Sequence, residues 1–277
     1  MSITIEGEGS KMLKVDNASI YYEVAGSGPP LVFLHAGVAD SRQWNNELHG
    51  FSNQFTVIRY DQRGFGKSEP TDGEFSHLRD LIALLEHLEV REPIIFIGCS
   101  MGGGLAMDYA LAQPTDVRAL IMVDSAPSGL ELDVPVPDKF TLVKEAEKAG
   151  DLDLVAEIET QIWFDGSRAS DEVNQQMRSL AYQMNRLALS HASMDLGQRL
   201  PNSNKLAVDL LKNLDIPILA IIGTNDIPYM HAAVEFMSRE ISNFRQAEIQ
   251  DAAHLPNMDQ PKAFQKIVLD FIEALPE

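Results

Sequence analysis

Cysteine is nearly absent from this chain, which has only Cys99 among its 277 residues. One cysteine excludes an intrachain disulfide, and nothing in the sequence points to an oxidising compartment. Basic residues are also scarce, since 22 Lys and Arg stand against 41 Asp and Glu and give a net charge of −19. Nucleic acids and anionic membrane surfaces would repel such a chain, so we expect neither as a partner. The same charge disfavours multiply anionic substrates unless an Arg or Lys lines the pocket.

Long hydrophobic runs are missing as well. Uncharged residues 93–107 are too few and too rich in glycine to span a bilayer. Residues 1–10 have no apolar core of the kind that is typical of a secretion signal. We therefore expect a cytoplasmic protein. A chain of this length with 45% hydrophobic residues has enough apolar side chains for one large α/β core, alone or with an inserted lid.

Signals for a cofactor are lacking too. Apart from His35 and His254, the histidines are scattered, and none of them has a second His at the spacing of metal ligands. The glycines at 102–104 do not form the G-x-G-x-x-G pattern of a dinucleotide site. We therefore expect no metal and no cofactor.

What the sequence does contain is an alternation of strand-like and helix-like segments. An opening hairpin and short apolar runs predict strands at residues 11–15, 20–24, 31–34, 55–60, 94–97, 119–123, 217–222 and 246–249. Apolar residues at helical spacing predict helices at residues 75–90, 103–112, 232–239 and 261–275. This order predicts an α/β fold with a doubly wound, mostly parallel sheet.

The alternation is interrupted between residues 129 and 204. This stretch contains no good strand but has charged, helix-like segments at residues 142–149, 153–162 and 171–189. We interpret residues 129–204 as a helical cap, and residues 1–128 and 205–277 as the two parts of one core. The cap would then be inserted just before the strand at residues 217–222.

A nucleophile motif lies between a predicted strand and a predicted helix. Residues 98–102 read G-x-S-x-G around Ser100. In a nucleophile elbow a tight turn lifts the serine hydroxyl clear of the sheet, and small neighbours let strand and helix approach each other. The pentapeptide alone is a weak signal, but its strand–helix context makes it a strong one.

A serine needs a base and an acid as partners. Asp226 follows the predicted strand at residues 217–222, and His254 follows the last predicted strand. Both would lie at the carboxyl edge of the sheet, where Ser100 also lies. The order Ser, Asp, His is the one expected of α/β-hydrolases. Asp124, directly after the strand at residues 119–123, is the alternative acid.

An oxyanion hole requires two backbone N–H groups. We assign one to Met101, which follows the nucleophile at the start of a helix. The second should come from the loop after the strand at residues 31–34, where Gly37 is our choice and Ala36 and Val38 are the alternatives.

These segments together resemble the α/β-hydrolase superfamily, in particular its lid-bearing esterases, enol-lactonases, cofactor-free haloperoxidases and C–C bond hydrolases. The resemblance covers nearly the whole chain, including the turn at residues 61–68 and the loop at residues 253–256. The family usually has His-Gly where this chain has His35-Ala36. From their places in the sequence we expect Asp61 and Arg63 to support their turn and His35 to be a structural residue of its loop. His191 and Trp163 are candidates to line the pocket from the lid.

We therefore expect a serine hydrolase that cleaves a small or medium carboxylic ester or a lactone through Ser100, His254 and Asp226. Its partner would be a small-molecule substrate, and the chain a monomer or homodimer. The alternatives are a C–C bond hydrolase, a cofactor-free haloperoxidase or perhydrolase, and a ligand receptor without turnover. Resemblance to the enol-lactonases implies that one cap-region arginine holds a substrate carboxylate; the candidates are Arg168, Arg178, Arg186 and Arg199.

Overall fold

The computed structural model of the chain describes residues 9–276. The first eight residues, and with them most of the stretch judged to lack a secretion signal, lie outside the described residues. Ten strands are described: β1 (Gly9–Val15), β2 (Ala18–Ala25), β3 (Pro30–Leu34), β4 (Thr56–Tyr60), β5 (Glu74–Phe75), β6 (Ile94–Cys99), β7 (Val117–Val123), β8 (Gln198–Arg199), β9 (Ile218–Gly223) and β10 (Phe244–Ile249).

The helices flank and interrupt this sheet. In chain order they are α1 (Asn45–Phe51), α2 (His77–His87), α3 (Met101–Ala112), α4 (Lys139–Ala149), α5 (Leu152–Thr160), α6 (Gln175–Ala192), α7 (Pro228–Glu240), α8 (Pro256–Asp259) and α9 (Pro261–Glu273). A π-helical turn (Gln161–Asp165) extends α5. None of the helices in the described part of the chain is both long and apolar enough to cross a membrane.

Eight strands form one mixed sheet in the order β1-β2-β4-β3-β6-β7-β9-β10. β1 and β2 pair antiparallel, β2 joins β4 antiparallel, and all the remaining pairs are parallel. The central strands β3, β4, β6 and β9 are buried along their whole length, as parallel strands covered on both faces must be. The predicted α/β fold with a doubly wound, mostly parallel sheet is confirmed.

The two faces of the sheet carry separate apolar clusters. One packs β2, β6 and β7 against α2 and α3, and the other packs β3 and β9 against α1 and α9. This double coverage fixes the carboxyl ends of β3, β6, β7, β9 and β10 relative to one another. The loops that follow these strands therefore begin from rigid positions.

The helical insertion between β7 and β9 contains α4, α5 and α6, as predicted. One expectation for residues 129–204 was wrong, because this stretch contains a strand. β8 pairs in parallel with β5, which lies outside the large sheet. A two-residue strand offers no alternating pattern, so its pairing depends on the fold that brings Gln198 next to Glu74.

Candidate active site

Ser100 occupies the turn between β6 and α3. Its φ of 51° lies in the left-handed region, which is costly for a residue with a side chain. A Cβ at Gly98 would lie 2.4 Å from the carbonyl oxygen of Gly102, and a Cβ at Gly102 would lie 2.2 Å from that of Leu34. Both glycines are therefore required by the close approach of strand and helix. The turn leaves Ser100 partly exposed at the carboxyl edge of the sheet.

Asp226 and His254 meet at the same edge. Asp226 follows β9, His254 follows β10, and the two atoms Asp226 Oδ2 and His254 Nδ1 are 2.7 Å apart. Burial alone would raise the pKa of Asp226, but the adjacent His254 and the N–H of Ile227, which donates to Oδ1, hold it below its usual range. Asp226 is therefore ionised at neutral pH, and its Oδ2 accepts the N–H of His254 Nδ1.

The elbow and the histidine loop lie against each other. The thiol of Cys99, the residue before Ser100, donates to the carbonyl oxygen of His254 across 3.3 Å. Burial raises the pKa of this thiol well above its usual value, so Cys99 is an unreactive packing residue. Within the described chain no hydrogen bond joins the Ser100 hydroxyl to His254. Such bonds often tighten only in the complex with substrate.

The loop after β3 faces the start of α3. A Cβ at Gly37 would lie 3.8 Å from Cβ of Met101, with no closer neighbour. The N–H of Ala36 donates to Oε1 of Gln43 across 3.0 Å, so Ala36 has no free donor for a substrate oxygen. The N–H of Met101 is among the first four of α3, which have no acceptor within their helix. Of the three alternatives for the second donor, Gly37 and Val38 therefore remain.

Asp124 lies beside this constellation but does not take the place of Asp226. It is fully buried after β7, and its Oδ1 accepts the N–H of Gly223 across 3.0 Å. One ligand atom each of Asp124, Asp226 and His254 lie within 4.8 Å of one another, the only such group among the described residues. Because His254 Nδ1 already donates to Asp226, a metal there would have to displace that hydrogen bond.

The π-helical turn of the cap lies on the histidine loop. The carbonyl oxygen of Trp163 accepts the backbone N–H of His254 across 3.0 Å, and the two side-chain rings are 4.4 Å apart between centroids. Arg168 of the cap forms a 2.6 Å ion pair with Asp259, just after that loop. π-Helical turns often occur at functional sites. The cap thus contributes directly to the position of His254.

A cavity of about 330 Å³ adjoins the loop that contains Gly37. Its lining is largely apolar, with Phe65 and Phe75 from the core and Leu189 from the cap. His191 also lines it and bonds through Nδ1 to the carbonyl oxygen of Gly64, which joins cap to core. Of the two residues expected to line a pocket from the lid, His191 lines this cavity and Trp163 contacts His254 instead.

Three of the four candidate arginines are held by carboxylates. Arg168 pairs with Asp259, Arg178 with Asp165 and Glu157, and Arg186 with Asp153. Within the described residues Arg199 has no ion pair; its Nη1 lies 3.6 Å from the sulfur of Met101, and it lines the same cavity. Its backbone is fixed by the pairing of β8 with β5. Arg199 is thus the one of the four candidates whose guanidinium lies beside Met101, the residue after Ser100.

The residues expected to support loops do so. His35 bonds the carbonyl oxygen of Ala36 through Nδ1 and accepts the N–H of Gln62 at Nε2, and burial lowers its pKa, so it is neutral. Asp61 accepts the N–H groups of Ser41 and Lys67. Arg63 forms a buried ion pair with Asp80.

A buried polar chain behind the Gly37 loop was not predicted. Glu47 of α1 accepts from Nδ2 of Asn257 across 3.0 Å, the same Nδ2 donates to the carbonyl oxygen of Gln43 across 2.8 Å, and Oε1 of Gln43 accepts from Ala36. All are essentially inaccessible to solvent. Burial raises the pKa of Glu47 to about 8. This chain connects the histidine loop with the Gly37 loop, and the sequence carries no spacing signal for it.

Comparison with known proteins agrees with this architecture. A family model described as "alpha/beta hydrolase fold" matches residues 29–261. The chain is 27% identical over 253 residues to 3-oxoadipate enol-lactonase 1 of Acinetobacter baylyi, covering 90% of each chain. It is 27% identical over 257 residues to the pimeloyl-[acyl-carrier protein] methyl ester esterase of Aeromonas hydrophila, covering 92% of this chain and 99% of that one.

Among solved structures, a bromoperoxidase from Bacillus anthracis superposes with a TM-score of 0.77 at 26% identity. The match covers 96% of this chain and all of that one. The relatives thus comprise a lactonase, an esterase and a haloperoxidase on one fold.

Proposed function

Because this chain belongs to the α/β-hydrolase fold family, we propose that it is a serine hydrolase that cleaves a small or medium carboxylic ester or a lactone. The observation that carries the proposal is the 2.7 Å bond between His254 Nδ1 and Asp226 Oδ2 at the sheet edge where Ser100 begins α3. A carboxylate that accepts from Nδ1 orients the imidazole and leaves Nε2 as the nitrogen that can take a serine proton. The lactonase and esterase relatives support this substrate class.

The proposed reaction has two steps. His254 Nε2 takes the proton of Ser100 as Oγ attacks the substrate carbonyl, and the N–H groups of Met101 and Gly37 receive the negative oxygen. His254 then gives its proton to the leaving alkoxide. A water molecule, deprotonated by His254, releases the acid and restores Ser100. Asp226 remains ionised throughout and keeps the imidazole oriented.

The substrate range is the finer part of the proposal. The apolar cavity beside Gly37 suits an acyl chain, and Arg199, which forms no ion pair within residues 9–276, supplies a positive charge at Met101. A chain of net charge −19 repels anionic substrates unless such a residue attracts them locally. We therefore propose that esters or lactones with one distal carboxylate are preferred over neutral ones of the same length.

Hydrolysis of a p-nitrophenyl ester series by wild type and by Ser100→Ala tests the chemistry, together with intact mass after fluorophosphonate treatment. We expect multiple turnover and a single adduct, both lost in the variant. Turnover retained by Ser100→Ala would contradict the proposal. An adduct without ester turnover would instead favour a receptor, or a C–C bond or peracid-forming reaction on the same residues.

Arg199→Gln tests the substrate range. A charge-assisted hydrogen bond contributes about 1.5–3 kcal/mol, so we expect KM for a carboxylate-bearing ester to rise about tenfold or more. KM for its neutral isostere should change little. Arg186→Gln is the matched control, because Arg186 is already paired with Asp153. Equal effects of Arg199→Gln on both esters would refute the preference.

A further inference from the structure

Asp124 is a buried carboxyl group that the proposed reaction does not use. Its residue is 0% exposed, and its backbone has a φ of 43°, a costly conformation for an aspartate. The next residue, Ser125, donates through Oγ to the carbonyl oxygen of Ser100 across 2.7 Å. The segment therefore adjoins the elbow on one side and, through the bond from Gly223 N–H to Asp124 Oδ1, the acid loop on the other.

The hydrogen bonds of the two carboxyl groups are unequal. Asp226 accepts from both His254 Nδ1 and the N–H of Ile227, each at 2.7 Å. Asp124 accepts only from Gly223, and its buried Oδ2 has no partner among the described donors. An ionised carboxylate with an unsatisfied buried oxygen is costly, whereas a protonated one supplies its own donor.

The charges point the same way. The carboxyl groups of Asp124 and Asp226 are both buried, and an oxygen of each lies within 4.8 Å of the other. Two carboxylates at this distance cannot both ionise at neutral pH. Burial, and next the negative charge of Asp226, raise the pKa of Asp124 well above its usual value, while that of Asp226 is lowered.

We propose that Asp124 keeps its proton at neutral pH and donates it from Oδ2 to the carboxylate of Asp226, as a positioning residue for the Asp226–His254 pair. Asp124 then adds a third hydrogen bond to the two that the Asp226 carboxylate accepts from His254 and Ile227. It is neither the general base nor the acid that contacts His254. The proposal rests on the proposed function for its catalytic consequence, but the proton on Asp124 is a property of the folded protein and can be observed without turnover.

Replacing Asp124 by asparagine and by alanine distinguishes a neutral hydrogen-bond donor from an ionised carboxylate. Asp124→Asn keeps an acceptor for Gly223 and a neutral donor for Asp226, so we expect kcat/KM within about threefold of wild type and an unmoved acid limb of its pH profile. Asp124→Ala removes the donor and should lower kcat about tenfold or more. Asp226→Asn is the matched control, for which the loss should be about 10⁴-fold.

If Asp124 were ionised instead, Asp124→Asn would remove a negative charge beside His254. The apparent pKa of the acid limb would then fall by about one unit or more, and this result would overturn the proposal. Equal activity of Asp124→Ala and wild type would overturn the positioning role.

The infrared C=O stretch of a protonated carboxylic acid provides a readout independent of activity. Wild type at neutral pH should show one such band that Asp124→Asn and Asp124→Ala both lack. Because Glu47 is a second buried acid, Glu47→Gln identifies its separate band. If no band disappears with Asp124, the proposal is wrong even in an active enzyme. If the band disappears in the Asp124 variants but wild type lacks esterase activity, the proposed function is wrong, whereas the assignment of a proton to Asp124 stands.

Discussion

The strand-end loops of the sheet and the helical cap position their polar side chains by different means. In the loops, the backbone positions the side chains. The glycines around Ser100 lie where any Cβ would clash, and the N–H of Gly223 donates to Asp124. In the cap, ion pairs such as the one between Arg178 and Asp165 position the side chains. Backbone constraints leave a readable sequence pattern, whereas ion pairs leave only a set of charged residues. The sequence therefore indicates the candidate catalytic residues more clearly than the cap residues that would select a substrate.

The largest difference in stability is expected between a glycine of the elbow and a glycine of the helix that follows it. Gly98→Ala would place a Cβ 2.4 Å from backbone and should lower the free energy of unfolding by about 3 kcal/mol or more and abolish activity. Gly104→Ala, a few residues later in α3, would place its Cβ 3.6 Å from the nearest atom and should stabilise the helix by about 0.5–1 kcal/mol. Thermal and urea unfolding of both variants measure the contrast. Similar losses in both would show that the elbow imposes no special constraint.

Among the ion pairs of the cap, we expect the largest loss of stability when the arginine that pairs with a buried carboxylate is replaced. Arg178→Met leaves Asp165, which is 1% exposed, with Ser170 as its one remaining side-chain partner. We expect a loss of about 2–4 kcal/mol in the free energy of unfolding. Arg186→Met breaks a largely exposed pair with Asp153 and should cost about 1 kcal/mol or less. Urea titrations of the two variants provide the test, and equal losses would contradict the assignment of cap stability to Asp165.

The buried Glu47 of the core makes stability depend on pH in a defined window. Its pKa is about 8 in the folded chain and about 4.5 unfolded, so folding takes up a proton between these values. The free energy of unfolding should therefore fall as pH rises from about 4.5 to about 8. Glu47→Gln removes this contribution and should gain roughly 2–3 kcal/mol over wild type at pH 7, with little difference at pH 4. Chemical unfolding at several pH values checks this, and a constant difference would disprove it.

The smallest effect concerns the ring of Trp163, where cap and core meet. Trp163→Ala removes the contact with His254 but keeps the backbone bond to its N–H. Aromatic contacts contribute about 0.5–1.5 kcal/mol, so we expect kcat/KM to fall about two- to tenfold with little change in Tm. Trp163→Phe retains a ring and should restore most of the activity. Activity unchanged in both variants would limit the cap's influence on His254 to its backbone.

The sequence predicted the eight strands of the large sheet, because central parallel strands are continuous apolar runs bounded by turn residues. It also predicted the meeting of Asp226 and His254, since both follow strands whose carboxyl ends share an edge. It overextended α2, which was expected at residues 75–90 but ends at His87, where Glu89 adopts a φ of 51°. It missed α1, because a one-turn 3₁₀ segment with buried Trp44 precedes it and interrupts the helical spacing.

Within the site, the sequence could not choose among the four arginines or among the donors of the Gly37 loop. Both choices depend on contacts between residues far apart in the chain. Arg168 is engaged by Asp259 and Ala36 by Gln43, which leaves Arg199 and Gly37 or Val38 available. Gln43 and Asn257 are separated by more than two hundred residues, so no local sequence pattern predicts the hydrogen bond between them.

The bond from His254 N–H to the carbonyl oxygen of Trp163 has a consequence for engineering. The cap accepts a backbone hydrogen bond from the loop that carries His254, so a chimera with a foreign cap would change the position of His254 as well as the lining of the cavity. Residues 161–168 would have to travel with the core of this protein for its chemistry to survive recombination.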